Sequence, residues 1–451
     1  MVEENAREQH CEVVVVGAGA AGLVGGATLA PTTDVVVLEA ATKPGGRVES
    51  VRHGDYWLNI GAQFTEGAGP LFDVIDKYKI KLGSLADTRA GLYLKGRLVA
   101  ADDPMGILVR SRMSLAAKVE LASVGLRLRR IFKRLMNENL DEAAKYQAFL
   151  DTHSGSWLMR GVKTDEMRAM FNAWAGQWIG CKPEETAASQ LAISIGFALE
   201  KAANIPNFAL PVGGNQTFTD ALAHELGDRL RLGAEVQSIT WTEDRATVRY
   251  VDGQGPVTLA ARRVIVAVPA DRALAIMPDL PDEYREALRV TNYGRYILAG
   301  IFTKEHGPQR WDDYYAISTP DLPSFQAIFN HAASLRRSGP RKPGGALVCL
   351  AGGPRADELD KLSDEQIETA FLRDLFRILP ELEGKIDRVV VKRQPRVVSY
   401  WAPGTRSAQE ILRKPLGPIQ FAGDHLADLP SLAGAVESGQ GDAENILQAL
   451  V

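Results

Sequence analysis

Three glycines and one glutamate near the start of the chain have the types and spacing that bind a dinucleotide. They belong to a G-x-G-x-x-G pattern and to the acid that follows it 22 residues after the first glycine: Gly17, Gly19, Ala20, Ala21, Gly22 and Glu39. The first glycine permits a tight turn, the second lets a pyrophosphate approach the backbone, and the third lets a helix pack closely. The helix N-terminus then faces the phosphates, and the carboxylate can accept hydrogen bonds from ribose hydroxyls.

Two valine-rich runs flank this loop and should position it. Residues 13–16 are four consecutive valines, and residues 35–38 lead directly into Glu39 and Ala40. Continuous β-branched runs are typical of parallel strands that are buried on both faces. The order of strand, glycine loop, helix and strand therefore predicts an α/β fold of the dinucleotide-binding kind.

A second glycine loop separates FAD from NAD as the expected dinucleotide. It contains Gly45, Gly46 and Arg47, and a further short segment follows it: Gly61, Ala62, Gln63 and Phe64. A nicotinamide-binding fold would normally continue into its crossover helix at this point. A loop with glycines and an arginine suits a longer cofactor that needs close backbone approach and a phosphate or flavin contact.

These segments, in this order, resemble the flavin amine oxidase superfamily. That superfamily includes monoamine oxidases, L-amino acid oxidases, polyamine oxidases, protoporphyrinogen oxidase and, more distantly, carotenoid desaturases. The resemblance continues in later segments that contain Val236, Val268, Pro269, Gly423, Asp424, Gly434, Ala435 and Val436.

The resemblance implies a role for each of these later segments in binding FAD. Val236 would hold the adenine edge through its backbone, and the strand ending at Val268 and Pro269 would return to the FAD sheet. Asp424 would meet the ribityl–pyrophosphate region. A helix beginning near Ala435 would point its N-terminus at the flavin, where it stabilises the negative charge of the reduced ring.

The length of 451 residues is too great for one ordinary core. The resemblance implies a Rossmann-type, glutathione-reductase-like FAD-binding domain and a second, mixed α+β substrate domain. The FAD-binding domain is expected in three pieces, at 1–70, 205–285 and 395–451. The substrate domain is expected at 71–204 and 286–394, with helices near 113–139, 165–178 and 363–378 and strands near 296–302, 346–349 and 388–392.

Composition favours a globular protein that acts on a small molecule. Apolar residues make up 45% of the chain and charged residues 24%, and the net charge of −4 argues against a nucleic acid partner. The three cysteines are odd in number, which favours reduced thiols and a cytoplasmic location. We predict no secretory signal, no membrane span and no metal site, and a homodimer stays open.

One basic segment of the sequence has a pattern that could indicate contact with a membrane. Arginines and lysines alternate there with apolar residues, at Leu126, Arg127, Leu128, Arg129, Arg130, Ile131, Lys133 and Arg134. A basic amphipathic helix can lie on an anionic membrane. The same pattern is more typical of the solvated face of a packed helix, so membrane contact is not expected.

Departures from the family pattern affect the chemistry. Many amine-oxidising members keep a lysine that hydrogen-bonds through a water to the flavin N5, and Leu298 occupies that position here. Residues 396–404 contain no cysteine at the place where some members attach their flavin, so FAD should be non-covalent. Tyr400 or Trp401 could form one side of an aromatic substrate cage; the alternative for Trp401 is a core residue packed under the sheet. The opposite side offers Ser431 and Leu432.

The candidate catalytic residues are therefore Trp401, Tyr400, Leu298 and Gln63. Removal of a hydride from carbon requires proximity, orientation and a dry cavity more than a strong acid or base. The first reaction predicted is oxidation of an amine to an imine. The second is C–C desaturation of the protoporphyrinogen oxidase or carotenoid desaturase type, which the missing lysine favours. A non-catalytic flavin-binding partner protein is the third alternative.

Overall fold

The computed structural model of the protein describes residues 6–65, 69–100, 104–199, 208–336 and 339–450. The strands are β1 (Arg7–Val16), β2 (Val35–Glu39), β3 (Ser50–His53), β4 (Tyr56–Asn59), β5 (Leu82–Ser84), β6 (Arg89–Leu94), β7 (Arg97–Ala100), β8 (Ala209–Pro211), β9 (Leu230–Leu232), β10 (Glu235–Trp241), β11 (Ala246–Asp252), β12 (Gly255–Val266), β13 (Thr291–Tyr293), β14 (Tyr296–Thr303), β15 (Tyr314–Ser318), β16 (Ala327–Asn330), β17 (Gly345–Gly352), β18 (Ile386–Gln394), β19 (Ser399–Trp401) and β20 (Ile419–Phe421). The helices are α1 (Ala20–Leu29), α2 (Pro70–Lys77), α3 (Pro104–Arg110), α4 (Leu115–Leu135), α5 (Leu140–Asp151), α6 (Asp165–Trp178), α7 (Ala188–Leu199), α8 (Gln216–Leu226), α9 (Ala270–Ile276), α10 (Asp282–Arg289), α11 (Ala333–Arg336), α12 (Pro354–Leu359), α13 (Asp364–Ile378), α14 (Ala408–Leu412) and α15 (Leu432–Leu450).

The first large sheet has β1 at its centre. Its order is β10-β11-β12-β1-β2-β9, and β20 also pairs with β12. The pairs around β1 are parallel, whereas β10, β11 and β12 form an antiparallel extension. Val13 and Val15 pack into the core on one face, together with α1 and α15, and Val14 and Val16 pack into the core on the other. The valine run is buried on both faces because both are covered, which confirms the predicted α/β fold class.

The second large sheet has the order β18-β14-β17-β16-β15-β6-β7. One face packs on α13, and the other carries Tyr296, Leu298 and Phe302 of β14 towards β4. The strands of the two sheets fall in the chain segments expected for two domains. Two short strand pairs connect the segments expected for different domains. β5 pairs with β8, and β13 pairs with β19. The domain boundaries themselves stay a prediction.

The basic segment forms the second half of α4. Leu128 and Ile131 are buried, Leu126 is exposed, and the Arg127 guanidinium donates hydrogen bonds to the carbonyls of Leu158 and Arg160. Packing on neighbouring elements therefore accounts for part of the amphipathic pattern. Within the described ranges, no helix combines the length and apolar character needed to cross a membrane.

Candidate active site

The phosphate loop joins β1 to α1 and is shaped by its glycines. Gly17 has φ +103°, and a Cβ there would lie 2.8 Å from the Ala267 carbonyl oxygen. A Cβ on Gly22 would lie 1.9 Å from the Gly17 carbonyl oxygen, so helix and strand could not pack as they do. A Cβ on Gly19 would meet no atom within 4 Å, and no side chain caps α1. The amides of Ala20, Ala21 and Gly22 thus begin a helix that has open space at its N-terminus, which suits a pyrophosphate.

Glu39, at the end of β2, is held against this loop. Its carboxylate accepts the N–H of Ala18 in the phosphate loop at 2.7 Å and the Ala41 N–H at 2.9 Å, and Ala40 lies between Glu39 and Ala41 in the chain. These bonds fix the acid beside the helix N-terminus, as the ribose-binding prediction requires, and leave that role a prediction. Val236 in β10 and Val268 after β12 pack against the core on the face of the first sheet that contains Val14 and Val16. Pro269 directly precedes α9.

Arg47 and Asp424 connect the two flavin motifs, although they are 377 residues apart. The guanidinium donates to both carboxylate oxygens at 2.6 and 3.0 Å, and to the Val397 carbonyl at 2.6 Å. The Ser399 N–H also donates to Asp424, at 3.0 Å. Burial alone would raise the pKa of Asp424, but the Arg47 charge and these hydrogen bonds hold it below its ordinary value.

The two glycines before Arg47 shape this second loop. Gly45 and Gly46 both have positive φ, and a Cβ on Gly46 would lie 3.2 Å from the Gly19 Cα. The second loop therefore packs directly against the phosphate loop. Sequence reasoning expected Arg47 to contact phosphate or flavin, and Asp424 to meet the ribityl–pyrophosphate region. The structure pairs their charged groups with each other.

Gly61, Ala62 and Gln63 form a tight turn against this junction. A Cβ on Gly61 would lie 2.0 Å from the Arg47 carbonyl oxygen, and the Ala62 N–H donates to that oxygen at 3.0 Å. The Gln63 amide nitrogen donates to the carbonyls of Asn59 and Gly61, both at 2.8 Å. Its orientation is therefore fixed, and the Gln63 Oε1 is buried without a hydrogen-bond partner.

The last helix, α15, begins at Leu432, three residues before the predicted start near Ala435. Ser431 caps it, because its hydroxyl accepts the Gly434 N–H at 3.1 Å. A Cβ on Gly434 would lie 2.4 Å from the Ala427 Cβ, and Ala435 and Val436 are buried. The Ser438 hydroxyl accepts the Gly423 N–H at 3.1 Å, which joins the helix to the turn that carries Asp424.

Leu298 lies in the middle of β14 and is fully buried. It is opposite Leu350 in β17 and Lys392 in β18, and it shares a core cluster with Phe64 and Val397. The Lys392 ammonium is paired with Glu49 at 2.6 Å. The core cluster around Leu298 is therefore apolar, and its correspondence to the lysine position stays a prediction.

Trp401 and Tyr400 do not lie in this cluster. Trp401 is 1% exposed and packs in the core of the first sheet with Tyr284 and Phe421. Tyr400 packs against the helical core instead. Alternation along β19 sends neighbouring side chains to opposite faces, and neither face is that of Leu298. Val397 is the residue of that segment that shares the core cluster of Leu298. The role of Tyr400 or Trp401 as one side of a substrate cage stays a prediction.

An aromatic cluster surrounds Phe64, and sequence reasoning did not find it. The Phe64 ring stacks on Trp178 at 5.5 Å and makes edge or tilted contacts with Phe208, Tyr315 and Phe329 at 5.3 to 5.9 Å. We call these five residues the Phe64 cluster. These residues come from four distant segments and form no motif of regular spacing in the sequence. From the sequence, only Phe64 could have been identified as a site residue, because it follows Gln63.

Residues 396–404 contain no cysteine, and Cys181 packs in the same helical core as Tyr400. Cys11, Cys181 and Cys349 are free and buried, and burial raises the pKa of each thiol. Over the described part of the chain, no three histidine, cysteine or acidic side chains are grouped as metal ligands would be.

Comparison with known proteins gives a consistent result. A family model described as flavin containing amine oxidoreductase matches residues 20–447. A putative flavin-containing monoamine oxidase, AofH, of Mycobacterium tuberculosis is 27% identical over 96% of each chain. The putrescine oxidase of Kocuria rosea is 25% identical over 97% of this chain and 95% of its own.

Two solved structures show a similar fold. Putrescine oxidase bound to putrescine has a TM-score of 0.79 and 21% identity over 98% of this chain and 100% of its own. Cyclohexylamine oxidase from Brevibacterium oxydans IH-35A also has a TM-score of 0.79, with 20% identity over 98% of this chain and 99% of its own. The two-sheet architecture of the chain is thus that of solved amine oxidases.

Proposed function

The chain belongs to the flavin containing amine oxidoreductase family, and on that premise we propose that it oxidises an amine to an imine with non-covalent FAD. The observation that carries the proposal is the junction of Arg47 and Asp424, which brings both flavin motifs beside the apolar cluster of Leu298. A flavin held at this junction would meet substrate in a buried, apolar space. Such a space favours hydride transfer because it excludes water.

The residues of the phosphate loop fit FAD. The open space at Gly19 and the uncapped N-terminus of α1 would receive the pyrophosphate. The Glu39 carboxylate would accept hydrogen bonds from the ribose hydroxyls. The Arg47–Asp424 pair and the N-terminus of α15 would support the flavin end. When bound, FAD supplies the acceptor for a hydride from the substrate carbon.

The protein side chains in this proposal orient the substrate and exclude water. The Gln63 Oε1 is a fixed acceptor that would receive an N–H of the substrate amine. Leu298 and Val397 would keep the reacting carbon in apolar surroundings. Non-covalent binding is supported by the absence of cysteine from residues 396–404, where some members of the family attach their flavin. The three free, buried cysteines support a cytoplasmic location.

C–C desaturation remains the second candidate function. The specific observation in its favour is that Leu298 stands where many amine-oxidising relatives keep a lysine, and that Ser431 and Leu432 stand on the side of the cage that has no aromatic residue. An all-carbon substrate would need neither.

Anaerobic mixing with substrates distinguishes these functions and tests the cofactor. The purified protein should be yellow, and acid precipitation should release free FAD into the supernatant. Benzylamine or a cyclic secondary amine should bleach the visible flavin band and yield an imine or its aldehyde. Flavin that stays with the precipitate would refute non-covalent binding, and bleaching only by an all-carbon substrate would refute amine oxidation.

A further inference from the structure

We propose that the solvent-facing side of helix α4 docks on an anionic lipid membrane. This inference does not depend on the proposed reaction. It reverses the expectation from the sequence that membrane contact is absent, because the structure shows which side chains of the basic segment stay uncovered. We call this surface the α4 face and define it by six exposed residues on one side of the helix: Leu115, Val119, Ala122, Leu126, Arg129 and Lys133.

The α4 face lies opposite the side of the helix that packs in the protein core. At the 3.6 residues per turn of an α-helix, its six members fall within an arc of about 80°. The buried residues of the helix point the other way: Ala117, Val124, Leu128, Ile131 and Leu135. An ordinary surface helix is polar on the side away from the core. Helix α4 instead presents a second apolar stripe there, over its first three turns, and basic residues follow over its last two.

Exposed apolar side chains are concentrated in this part of the protein. Leu115, Val119 and Leu126 expose 80%, 63% and 58% of their surface. Among the described residues ten large hydrophobic side chains are exposed, and seven of them lie between residues 109 and 149. Single exposed apolar residues are ordinary, whereas a group of neighbours indicates an interaction surface.

The helix is strongly basic although the net charge of the whole chain is −4. Its sequence has six lysines and arginines and one acid, Glu120, so the net charge of α4 is +5. The Glu120 carboxylate accepts the N–H groups of Lys163 and Thr164 at 2.9 and 3.2 Å. Three basic side chains are exposed and form no ion pair within the described ranges: Arg129, Arg130 and Lys133. Their charges are therefore available to an anionic partner.

Aromatic rings and arginines flank the basic end of the α4 face. The Arg134 guanidinium lies 3.7 Å from the centre of the Tyr146 ring, and that of Arg160 lies 3.2 Å from the Trp157 ring. Phe149 lies between these rings, at 6.3 Å from Tyr146 and 5.8 Å from Trp157. Tryptophan and tyrosine are enriched where membranes meet water, because each has an apolar body and a polar end. This flank therefore suits the headgroup region of a bilayer.

Shape and charge favour a membrane over the other possible partners. The α4 face is the convex side of a helix, so it suits a deformable surface that apolar side chains can enter. A nucleic acid would neutralise the basic residues but leave the leucines in water. A second copy of the chain in symmetric contact would bring two basic faces together, since the α4 face contains no acid.

The docked orientation follows from the positions along the helix. Leu115, Val119 and Leu126 would enter the boundary between headgroups and acyl chains. Arg129 and Lys133 would reach the lipid phosphates with their charged ends while their stems stay on apolar surface. The helix would lie in the plane of the interface, and its backbone hydrogen bonds would stay intact.

The test measures binding of the FAD-loaded protein to lipid vesicles by co-sedimentation. One set of vesicles is phosphatidylcholine alone, and the other contains about 30% phosphatidylglycerol, which supplies the anionic headgroups. We expect binding to the anionic vesicles to be at least about tenfold tighter in about 0.05 M salt, and most of that difference to disappear in about 0.5 M salt.

Two sets of variants separate the basic and apolar parts of the α4 face. The combined Arg129→Gln, Arg130→Gln and Lys133→Gln protein should lose at least about tenfold in affinity for anionic vesicles. The combined Arg249→Gln, Arg272→Gln and Lys304→Gln protein is the control, because it loses the same charge at exposed positions of other segments. Leu126→Asn should also weaken binding, whereas Leu362→Asn, at an exposed leucine elsewhere, should not.

A fluorescent label shows whether the α4 face itself meets the lipid. Leu126→Cys can be labelled selectively with an environment-sensitive dye, because the three native cysteines are buried. Its emission should shift to the blue on anionic vesicles, and the same dye on Leu362→Cys should not respond. Equal binding to both vesicle types, wild-type affinity of the triple α4 variant, or an unchanged emission at position 126 would overturn the inference. Dimerisation that Leu126→Asn abolishes, without vesicle binding, would assign the face to a second copy of the chain and also overturn it.

Discussion

At the scale of single residues, the Arg47–Asp424 pair has the largest consequence for the site. It is a bidentate ion pair whose acid is 5% exposed, and it holds two distant flavin motifs together. Arg47→Met should destabilise the protein by about 3–5 kcal/mol at pH 7, because it leaves a buried carboxylate unpaired. Arg396→Met is the matched control, since its pair with Asp271 is exposed and worth at most about 1 kcal/mol. Urea unfolding measures both.

The pH dependence of this loss has a defined sign. The folded pKa of Asp424 lies below its ordinary value of 3.8, so the stability from its ionisation is present above pH 3.8 and is lost as the pH falls through the folded pKa. The difference between wild type and Arg47→Met should therefore shrink in acid. A difference that stays constant down to pH 3 would contradict the pairing.

Gly19 and Gly22 make separate contributions that can be tested side by side. A valine side chain at Gly19 would enter the open space expected to hold pyrophosphate, whereas one at Gly22 would collide with the Gly17 carbonyl. We expect Gly19→Val to give a folded, colourless protein and Gly22→Val to give an unstable one. Absorption spectra and thermal unfolding of the cofactor-free proteins provide the readouts, and a yellow Gly19→Val protein would refute the assignment of the loop.

Leu298 is expected to govern the reaction of the reduced flavin with oxygen. No side-chain amine is available at this buried position to hold a water beside the flavin. We predict slow reoxidation of dithionite-reduced enzyme in air-saturated buffer, which is the behaviour of a dehydrogenase. Leu298→Met should change little, because volume and polarity are conserved. Leu298→Lys would bury an amine whose pKa falls on desolvation; it should lower stability and speed reoxidation. Stopped-flow absorbance measures the rate, and rapid wild-type reoxidation would remove this role from Leu298.

At the scale of elements, helix α15 carries an acid, Asp442, that makes the stability of the folded protein depend on pH. Burial raises the pKa of Asp442 to about 7, and its Oδ2 has no hydrogen-bond partner. Because the folded pKa is above the ordinary value, ionisation of Asp442 destabilises the fold as the pH rises from 3.8 through 7. Asp442→Asn should stabilise the protein by about 1 kcal/mol or more at pH 8 and much less at pH 5.

Urea unfolding at the two pH values provides the measurement for Asp442. Asp220→Asn, which changes an exposed acid on α8, is the control and should have little effect at either pH. An Asp442→Asn protein that is equally stabilised at pH 5 and pH 8, or destabilised at pH 8, would contradict the buried acid.

Helix boundaries were predicted well where a capping residue in the sequence marks them. The helix expected at 165–178 matches α6, because Thr164 caps its first turn by accepting the Met167 N–H. The helix expected at 113–139 is shorter, at 115–135, since Ser114 caps it and a second cap at Asn139 starts α5. Periodicity alone did not separate these two helices.

The aromatic lining of the site could not be predicted from local patterns. Trp401 follows Tyr400 in an aromatic pair near a flavin motif, yet strand β19 directs it into the core of the first sheet. The Phe64 cluster instead unites Trp178 at the end of α6 with Tyr315 of β15 and Phe329 of β16. Only the packing of the second sheet brings these residues together.

At the scale of the whole molecule, the two sheets meet around the candidate site. The first sheet supplies the phosphate loop and Glu39, and the second supplies Leu298 together with Tyr315 and Phe329 of the Phe64 cluster. The turn at residues 61–63 joins them, because the Ala62 N–H donates to the Arg47 carbonyl on one side and the Gln63 carbonyl accepts from the Tyr315 hydroxyl on the other. A cofactor bound to one sheet would therefore face a substrate bound by the other.

Removal of a hydride from the carbon next to nitrogen can be measured by anaerobic stopped-flow reduction of the FAD-loaded protein with benzylamine and with benzylamine deuterated on that carbon. We expect bleaching of the flavin band with formation of imine or benzaldehyde, and clearly slower bleaching with the deuterated amine. No reduction by amines, together with reduction by an all-carbon substrate that gains a double bond, would rule out amine oxidation.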